Sequence, residues 1–422
     1  MAWSAGKMKQ IPWSSLSARS CRNRRKGCNF AWEQCKLSDI SEKSYEKNTY
    51  NKYSTVLTNS AEYGIVKQRD FFDKDIANSS NISGYYVVRK NYFVYNPRIS
   101  NQAKFGPINR NKLDESGIMS PLYLVFTVHD IDESFLETLF QTTTWHRFMY
   151  QNGDTGARAD RFAIKDSTFM SMPIKVPSLE EQHKLALAFQ KLDQTITLHE
   201  EKKRQLERLK SALLKKMFAD KSGYPAVRFE GFGGKWDQCK LGNVGTFRGG
   251  FGFPENEQGN IDGIAFYKVS DMNDSCNTLT MRKASNYVTS SQISKNKWKP
   301  ILNQNIIFAK VGAAVYLERK RKAMGPFLLD NNMMAFQPKD ADIDYIYYVF
   351  QRLRISKHAQ VGTLPSLNAS ELRNITIYIP SLNEQKAVAD LMVSLDHTII
   401  LYDFKLELLK KLKSSLLQHM FI

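Results

Sequence analysis

The sequence has no apolar run long enough to cross a membrane. Its longest strongly apolar stretches, such as Tyr123 to Val128, fall far short of the roughly 20 residues that a spanning helix needs, and we expect no signal peptide and a cytoplasmic protein. Acidic residues are also scarce: 42 Asp and Glu stand against 60 Lys and Arg, which gives a formal net charge of +18. Such a surplus favours a polyanionic partner, with nucleic acid preferred over an anionic membrane.

Cysteines are few, and their spacing does not suit a metal. There are five, with no C-x-x-C pair, and Cys21, Cys28 and Cys35 lie seven apart with no histidine nearby. A structural zinc site needs four ligands that are usually closely spaced in pairs. Reduced thiols in a reducing compartment are therefore favoured over zinc, and we predict no metal site.

Motifs for catalysis are missing as well. Gly234-Lys235 is followed by Trp236, so it is no phosphate-binding loop, and the glycine-rich stretch Arg248 to Phe253 lacks the strand and helix of a dinucleotide site. Asn96-Pro97-Arg98 lacks the second proline and the aromatic residue of an adenine methyltransferase motif. We predict neither catalytic nor cofactor-binding residues, and we expect a protein that binds rather than reacts.

What the sequence does contain is an internal repeat. Pro177 to Phe218 aligns without gaps on Pro380 to Phe421, with 20 identities in 42 positions, and Trp32 to Ile40 resembles Trp236 to Val244. The segments between them, Ser41 to Met172 and Gly245 to Thr376, show little similarity. Both halves therefore begin and end alike, as expected for a duplication whose inserts have diverged.

The repeated segments near 177 and 380 predict two long helices. Ser178 and Ser381 suit an N-cap, with Glu181 and Glu384 completing a capping box. Apolar residues at spacings of three and four predict a pairing seam. The seam residues are Leu192, Ile196, Leu206, Leu213, Leu395, Ile399, Tyr402, Leu409 and Leu416. We expect an antiparallel intramolecular coiled coil with a pseudo-twofold internal repeat, rather than simple packing within a helical bundle. In this pairing the polar His199 and Lys203 would each face an apolar neighbourhood.

The two inserts predict the same order of elements. Runs rich in β-formers occur at Tyr85 to Val88, Tyr92 to Tyr95 and Leu122 to Val128, before a helical stretch around Glu133 to Tyr150. The second insert has similar runs at Ile264 to Val269, Asn305 to Ala309 and Met333 to Gln337, then a helical stretch around Ile343 to Ser356. The predicted fold class is α+β, with two mixed α/β domains alternating with the two long helices.

Polar loops between these strands supply candidate DNA contacts, because Arg and Lys suit guanine and phosphate while Asn and Gln suit adenine. The candidates in the first insert are Asn59, Ser60, Tyr63, Arg98, Gln102, Lys104, Asn109, Arg110, Arg158 and Arg161. Those in the second are Arg248, Lys268, Ser270, Lys310, Asn331 and Asn332. The alternative for each is a solvated side chain or one that caps a turn.

This organisation resembles the specificity (S) subunit of bacterial type I restriction-modification systems. The resemblance lies in WEQCKL at Trp32 to Leu37 and WDQCKL at Trp236 to Leu241, in VPSLEEQ at Val176 to Gln182 and IPSLNEQ at Ile379 to Gln385, and in the linker PAVRFEGFGGKW at Pro225 to Trp236. It implies target recognition domains at 30–176 and 236–379, spacer helices at 177–220 and 380–422, and a linker at 221–235.

The resemblance also implies partners. Each recognition domain would read one half of a bipartite site in double-stranded DNA, and the helices would set the spacing and dock two methyltransferase subunits. A motor-nuclease subunit would join for restriction. S-adenosylmethionine, ATP and Mg²⁺ would then belong to the partner subunits, and none to this chain.

One segment departs from the family pattern. Residues 1–29 form a basic leader of uncertain role, for which a phosphate-binding arm and a disordered or mistranslated start are both open. Two alternatives to the whole interpretation remain: a stand-alone two-site DNA-binding regulator, and a coiled-coil adaptor whose positive charge is incidental.

Overall fold

A computed structural model describes residues 32–71, 82–154, 160–360, 362 and 364–421. The basic leader, Cys21, Cys28 and the candidate Arg158 lie outside the described residues. The chain forms two compact units. One combines the part up to Leu198 with the part from Leu406 onward, and the other comprises His199–Lys405.

The first half of the chain alternates short strands and helices before it enters one long helix. In order, its elements are β1 (Glu33–Lys36), β2 (Ser41–Lys43), β3 (Leu57–Ser60), β4 (Gly64–Lys67), α1 (Gln68–Phe71), β5 (Tyr86–Val88), β6 (Phe93–Tyr95), β7 (Ile108–Arg110), β8 (Gly117–Met119), β9 (Leu124–Val128), α2 (Glu133–Phe140), α3 (His146–Asn152), α4 (Asp166–Met170), β10 (Pro173–Val176) and α5 (Leu179–Lys216).

The second half follows the same plan. Its elements are β11 (Asp237–Lys240), β12 (Gly245–Gly249), β13 (Ile264–Tyr267), β14 (Thr280–Met281), β15 (Tyr287–Val288), α6 (Ser290–Lys295), β16 (Asn305–Ala309), β17 (Lys320–Ala323), β18 (Phe327–Leu329), β19 (Met333–Pro338), α7 (Ile343–Arg352), β20 (Ala359–Gln360), β21 (Ser366–Leu367), α8 (Ala369–Arg373), β22 (Thr376–Ile379) and α9 (Leu382–Met420).

The main sheets of the two units share one strand order. In the first unit the order is β2-β9-β6-β7, and in the second β12-β19-β16-β17 with β14 added at one side. The neighbours within each shared set of four are antiparallel. The predicted common fold of the two inserts, mixed α/β with strands preceding a helix, is confirmed, although their sequences differ.

A second shared feature is a two-stranded ribbon beside each long helix. β1 pairs with β10 and β11 pairs with β22, both antiparallel, with Cys35 opposite Ile174 and Cys239 opposite Ile377. Each ribbon therefore joins the start of one domain to the strand that leads into its long helix. The repeated WxQCKL sequence motif marks this junction.

Aromatic side chains close both cores at equivalent positions. In the first unit the rings of Trp32, Phe135 and Phe421 lie 5.5 to 5.8 Å apart between centroids. In the second the rings of Trp236, Tyr345 and Phe218 lie 5.3 to 6.5 Å apart. The residue that ends each repeated helix segment is thus buried, and it fixes the far end of one helix against a domain core.

The helix starts depart from the predicted capping box. The Ser178 hydroxyl accepts from the Glu181 amide at 3.3 Å, as an N-cap should. The Glu181 carboxylate instead accepts from the Trp32 indole, 3.2 Å away. In the second copy Glu384 is buried and takes the Arg228 guanidinium as well as the Trp236 indole. The glutamate carboxylates therefore accept from the indole, and in the second copy also from a guanidinium, of residues outside the helix.

The long helices pair antiparallel within each unit. In the second unit Lys203 contacts Asp403 and Lys210 contacts Asp396, so one helix advances by seven residues as the other retreats by seven. In the first unit Phe189 meets Phe421, and Asp193 meets Lys413. Of the predicted seam residues, Ile196 is buried and the other eight are half-buried. Among the described residues, no helix is long and apolar enough to span a membrane.

One detail of these predictions is wrong. Lys203 does not rest on an apolar neighbourhood, because its ammonium forms ion pairs with Asp403 at 2.6 Å and Glu207 at 3.5 Å. The predicted helical stretch around Glu133 to Tyr150 is present as two helices, because α2 ends at Phe140 and α3 begins at His146. The Thr142 hydroxyl donates to the Leu139 carbonyl at 2.7 Å, and this local bond turns the chain out of the helix.

Candidate nucleic-acid interface

One edge of each main sheet gathers the polar loops. In the first unit this loop edge is formed by Lys43 at the end of β2, Asn96 after β6 and Tyr123 before β9, since Tyr95 lies opposite Leu124 and Lys43 opposite Phe126. In the second unit the loop edge is formed by Gly250 after β12, Lys310 after β16 and Asn332 before β19. The shared strand order therefore places equivalent loops at equivalent edges.

A cleft of about 500 Å³ opens at the loop edge of the first unit. It brings together four predicted residues: Asn59, Ser60, Arg98 and Gln102. A second cleft of about 750 Å³ shares Tyr123 with it and is lined by other polar side chains. These include Lys43, Gln151, Asn152 and Lys165, which the sequence analysis did not select.

Buried amides shape the smaller cleft. Asn59 is 2% exposed; its amide nitrogen donates to the carbonyls of Val94 (2.7 Å) and Pro107 (3.2 Å). Its amide oxygen accepts from Asn109 at 2.7 Å, and its backbone carbonyl accepts from Asn96 at 2.9 Å. Because these groups satisfy one another, Asn59 and Asn109 hold the wall of the cleft together, and the neighbouring exposed side chains are the ones that reach outward.

The connection between β6 and β7 presents those exposed side chains. Arg98, Gln102 and Lys104 are all exposed on it. Its return is tight: Gly106 has φ +83°, and a Cβ there would lie 2.0 Å from the Asn96 carbonyl oxygen, so glycine is required. The loop is thus fixed at both ends while its polar side chains face solvent.

Neighbouring segments support this loop. Arg98 and Arg161 are bridge partners, with the Phe162 amide donating to the Pro97 carbonyl at 2.8 Å. Phe105 packs its ring 5.1 Å from those of His146 and Phe162. Burial lowers the pKa of His146, and the Lys104 ammonium lowers it further. Two predicted cations, Arg98 and Arg161, are thereby brought side by side.

The remaining candidates of the first unit differ in position. Arg110 forms an ion pair with Glu137 at 2.9 Å and donates to the Ser134 hydroxyl at 3.1 Å, so its guanidinium points at α2. Tyr63 lies on the β3–β4 turn with 61% of its surface exposed. Ser60 caps that turn by accepting from the Tyr63 amide at 3.3 Å. Their contact with DNA stays a prediction.

Backbone hydrogen bonds assemble the loop edge of the second unit. The Phe251 amide donates to the Leu329 carbonyl at 2.8 Å, Asp330 to Tyr267 at 2.9 Å, and Lys310 to Asn332 at 2.7 Å. At Gly250 a Cβ would lie 2.0 Å from the Asp330 carbonyl oxygen, so this close approach needs glycine. The loops that carry the candidate residues of this insert therefore meet at one place.

Their side chains are not equally available. The Arg248 guanidinium donates to the carbonyls of Lys299 and Pro300, and the Lys268 ammonium contacts the Gln258 side chain. By contrast, Ser270, Asn331 and Asn332 are exposed, and Lys310 is half-exposed. Sequence composition could not separate these two groups, because the carbonyls that engage Arg248 are about fifty residues away in the chain.

Two domains of shared fold, each attached to one of two paired long helices, define a class of internally duplicated two-site proteins. A family model described as the type I restriction modification DNA specificity domain matches residues 29–208 and again residues 233–411. The protein belongs to this family.

Individual relatives agree with the assignment. The chain is 23% identical over 347 residues to the type I restriction enzyme MjaIX specificity subunit of Methanocaldococcus jannaschii, covering 79% of this chain and 73% of that protein. Its fold is similar to that of the type I restriction-modification system S subunit from M. genitalium, with a TM-score of 0.55, 15% identity, and coverage of 94% of this chain and 98% of that one. A chain from a study of assembly and conformational transition of the type I R-M system gives a TM-score of 0.52 at 14% identity, covering 94% and 99% of the two chains.

Proposed function

We propose that this chain is the DNA-specificity subunit of a type I restriction-modification complex, and that each loop edge reads one half of a bipartite site. The observation that carries the proposal is the pair of loop edges: equivalent in strand order, different in side chains, and each attached to one end of a repeated helix. A duplicated frame with divergent loops suits a protein that reads two different half-sites.

The charge and chemistry of the loop edges support direct readout. Arg98 and Gln102 in the first unit, and Lys310, Asn331 and Asn332 in the second, offer donors and acceptors suited to base edges and phosphates. Specific contact in the major groove requires such side chains on a rigid support, and the buried amides around Asn59 supply that support.

The proposal assigns the chemistry to partners. Two methyltransferase subunits, binding S-adenosylmethionine, would dock on the helices and adjoining surfaces and methylate adenine, and a motor-nuclease subunit would use ATP and Mg²⁺. This chain would contribute recognition and spacing and would itself hold no cofactor. Such a complex acts on DNA in the cytoplasm, where we place this subunit.

Methylation mapping tests the proposal. The chain is co-expressed with its methyltransferase subunit, and modified adenines are mapped across the host DNA. We expect one bipartite motif that disappears when this chain is omitted. An Arg98→Ala, Gln102→Ala variant should alter one half of the motif, and a Lys310→Ala, Asn332→Ala variant the other. Methylation that does not depend on this chain would contradict the proposal and favour a stand-alone regulator.

Altering the paired helices tests the spacing role separately. Removing a few residues from one helix should change the number of bases between the two halves and leave the bases within each half unchanged. Altered bases at unchanged spacing would rule out the helices as the spacer.

A further inference from the structure

The two loop edges contain one connection that is equivalent in position and opposite in chemistry. It joins β6 to β7 across residues 96–107 in the first unit, and β16 to β17 across residues 310–319 in the second. Each connects the last two strands of the shared four-strand order, and each begins at the loop edge. They are therefore the same structural element in the two units.

The first connection is polar and the second is largely apolar. Residues 98–104 read Arg-Ile-Ser-Asn-Gln-Ala-Lys, whereas residues 311–317 read Val-Gly-Ala-Ala-Val-Tyr-Leu. Tyr316 is 57% exposed and Leu317 is 56% exposed, and the basic Lys310 begins the same connection. Large apolar side chains exposed together at a proposed binding edge indicate a surface that contacts a partner.

The fold holds this turn in place. Val315 is 2% exposed and anchors the turn in the core, while Gly312 has φ +82° and donates its amide to the Pro365 carbonyl at 2.9 Å. Glu318 adopts the left-handed conformation and accepts from the Ser356 amide at 2.9 Å. With both ends fixed and Val315 turned inward, Tyr316 and Leu317 are left facing outward. The backbone conformation of the turn therefore sets the outward orientation of these two side chains.

The chemistry of DNA suggests what this turn meets. In the major groove the apolar group that distinguishes one base pair from another is the 5-methyl group of thymine. We propose that Tyr316 and Leu317 contact thymine methyl groups in the half-site read by the second unit, with Lys310 holding the adjoining phosphate. The first unit reads hydrogen-bonding edges through Arg98 and Gln102 at the equivalent position. This inference rests on the proposed function and adds that the two units recognise their half-sites by different chemistry.

Deoxyuridine substitution tests this inference directly, because it removes the thymine methyl group and leaves base pairing unchanged. The full chain first selects its preferred duplexes from a pool of random sequence. Each thymine of the selected motif is then replaced by deoxyuridine, and binding is measured for the wild type and for a Tyr316→Ser, Leu317→Ser variant. The control is Leu302→Ser, at an exposed leucine (75%) before the opposite end of β16.

We expect the replacement to weaken wild-type binding about fourfold for each contacted methyl group. The double variant should bind thymine and deoxyuridine equally, while Leu302→Ser behaves as the wild type. The sensitive thymines should lie in the half that an Arg98→Ala change leaves untouched. All three proteins should unfold at the same temperature, since the changed side chains are exposed.

Two other results would overturn the inference in distinguishable ways. A selected bipartite motif in which deoxyuridine affects the wild type and the double variant alike would refute the thymine contact and leave the proposed function standing. Selection of no motif at all would refute the proposed function, and the thymine contact with it.

Discussion

Lys210 forms an ion pair with Asp396, and the repeat reproduces this contact between Lys413 and Asp193, whose Nζ and Oδ1 lie 2.7 Å apart. The two pairs differ in burial. The Asp396 side chain is 6% exposed and also accepts from the Tyr348 hydroxyl at 2.6 Å, whereas the Asp193 side chain is 45% exposed.

This difference in burial predicts that removing the lysine destabilises the two units unequally. Lys210→Met should lower the free energy of unfolding of the second unit by about 3 to 5 kcal/mol, because a buried carboxylate loses its cation. Lys413→Met should lower that of the first unit by no more than about 1 kcal/mol. Hydrogen exchange of the amides in each unit measures both values. Equal losses would show that burial of Asp396 does not matter.

The repeated glutamates offer a second matched pair. Glu384 is 1% exposed, and its two oxygens accept from Nε and Nη2 of Arg228, each at 2.7 Å. Glu181 is exposed and accepts from the Trp32 indole. Glu384→Gln should destabilise the second unit by about 2 to 4 kcal/mol, since it replaces a buried carboxylate by a neutral amide and the half-buried Arg228 guanidinium loses its charged partner. Glu181→Gln should cost the first unit under about 1 kcal/mol, and thermal unfolding of both variants checks the contrast.

Arg98 and Arg110 should separate binding from stability. Arg98→Met removes an exposed cation that we propose contacts a base edge, so affinity for the selected duplex should fall by about 1 to 3 kcal/mol while affinity for random duplexes changes much less, with unfolding unchanged. Arg110→Met removes the partner of Glu137, so stability should fall by about 1 to 3 kcal/mol with DNA affinity unchanged at a temperature where the variant is folded. Titrations with the selected duplex and with random duplexes measure the first effect, and urea unfolding the second. A loss of affinity in the Arg110 variant would place that residue on the DNA.

Stability should fall at alkaline pH. Unfolded tyrosine ionises near pH 10, but burial raises the pKa of Tyr267 to about 12 and raises the pKa values of Tyr345, Tyr347 and Tyr348 as well. The folded chain thus holds protons that the unfolded chain releases. The contribution of these tyrosines to the free energy of unfolding is intact below pH 10. It is lost as the pH rises from 10 to 12, at about 1.4 kcal/mol per pH unit for each such tyrosine.

Urea unfolding between pH 8 and 12 measures this loss. Tyr267→Phe serves as the matched variant, because phenylalanine keeps the ring and removes the ionisable hydroxyl. Its stability should decline less steeply above pH 10 than that of the wild type. Parallel declines would mean that Tyr267 ionises in the folded chain as it does in the unfolded one.

The ribbons and long helices of this protein could be predicted from sequence because their motifs occur twice in the chain. Paired motifs such as Trp32 and Trp236, or Asp193 and Asp396, mark the ribbon, the aromatic closure and the helix pairing before any coordinates are known. The length and antiparallel sense of the helices follow from the apolar spacing and from the position of each insert. What repetition could not indicate was the partner of Lys203, since an ion pair with Asp403 depends on helix rotation.

The loop edges were predicted less completely. Asn59, Arg110 and Arg248 are residue types that commonly contact DNA. In the fold, however, their polar atoms form hydrogen bonds or an ion pair with carbonyls, amides or a carboxylate from distant parts of the chain. Tyr316 and Leu317 could not be predicted from composition, because their apolar side chains lack the charged and amide groups that indicate a DNA contact. The signal that reveals them is the equivalence of the β6–β7 and β16–β17 connections, which appears only when the strand order is known.

The position of Phe421 has a consequence for synthesis of the chain. Phe421 is 3% exposed in the core of the first unit, against Trp32 and Phe135, while the second unit is built from the uninterrupted segment His199–Lys405. Translation completes the sequence of the second unit at Lys405 before it reaches the segment from Leu406 onward, which the first unit also requires. The domain translated earliest is therefore the one completed last, and a nascent chain that stops short of Phe421 leaves an open aromatic core.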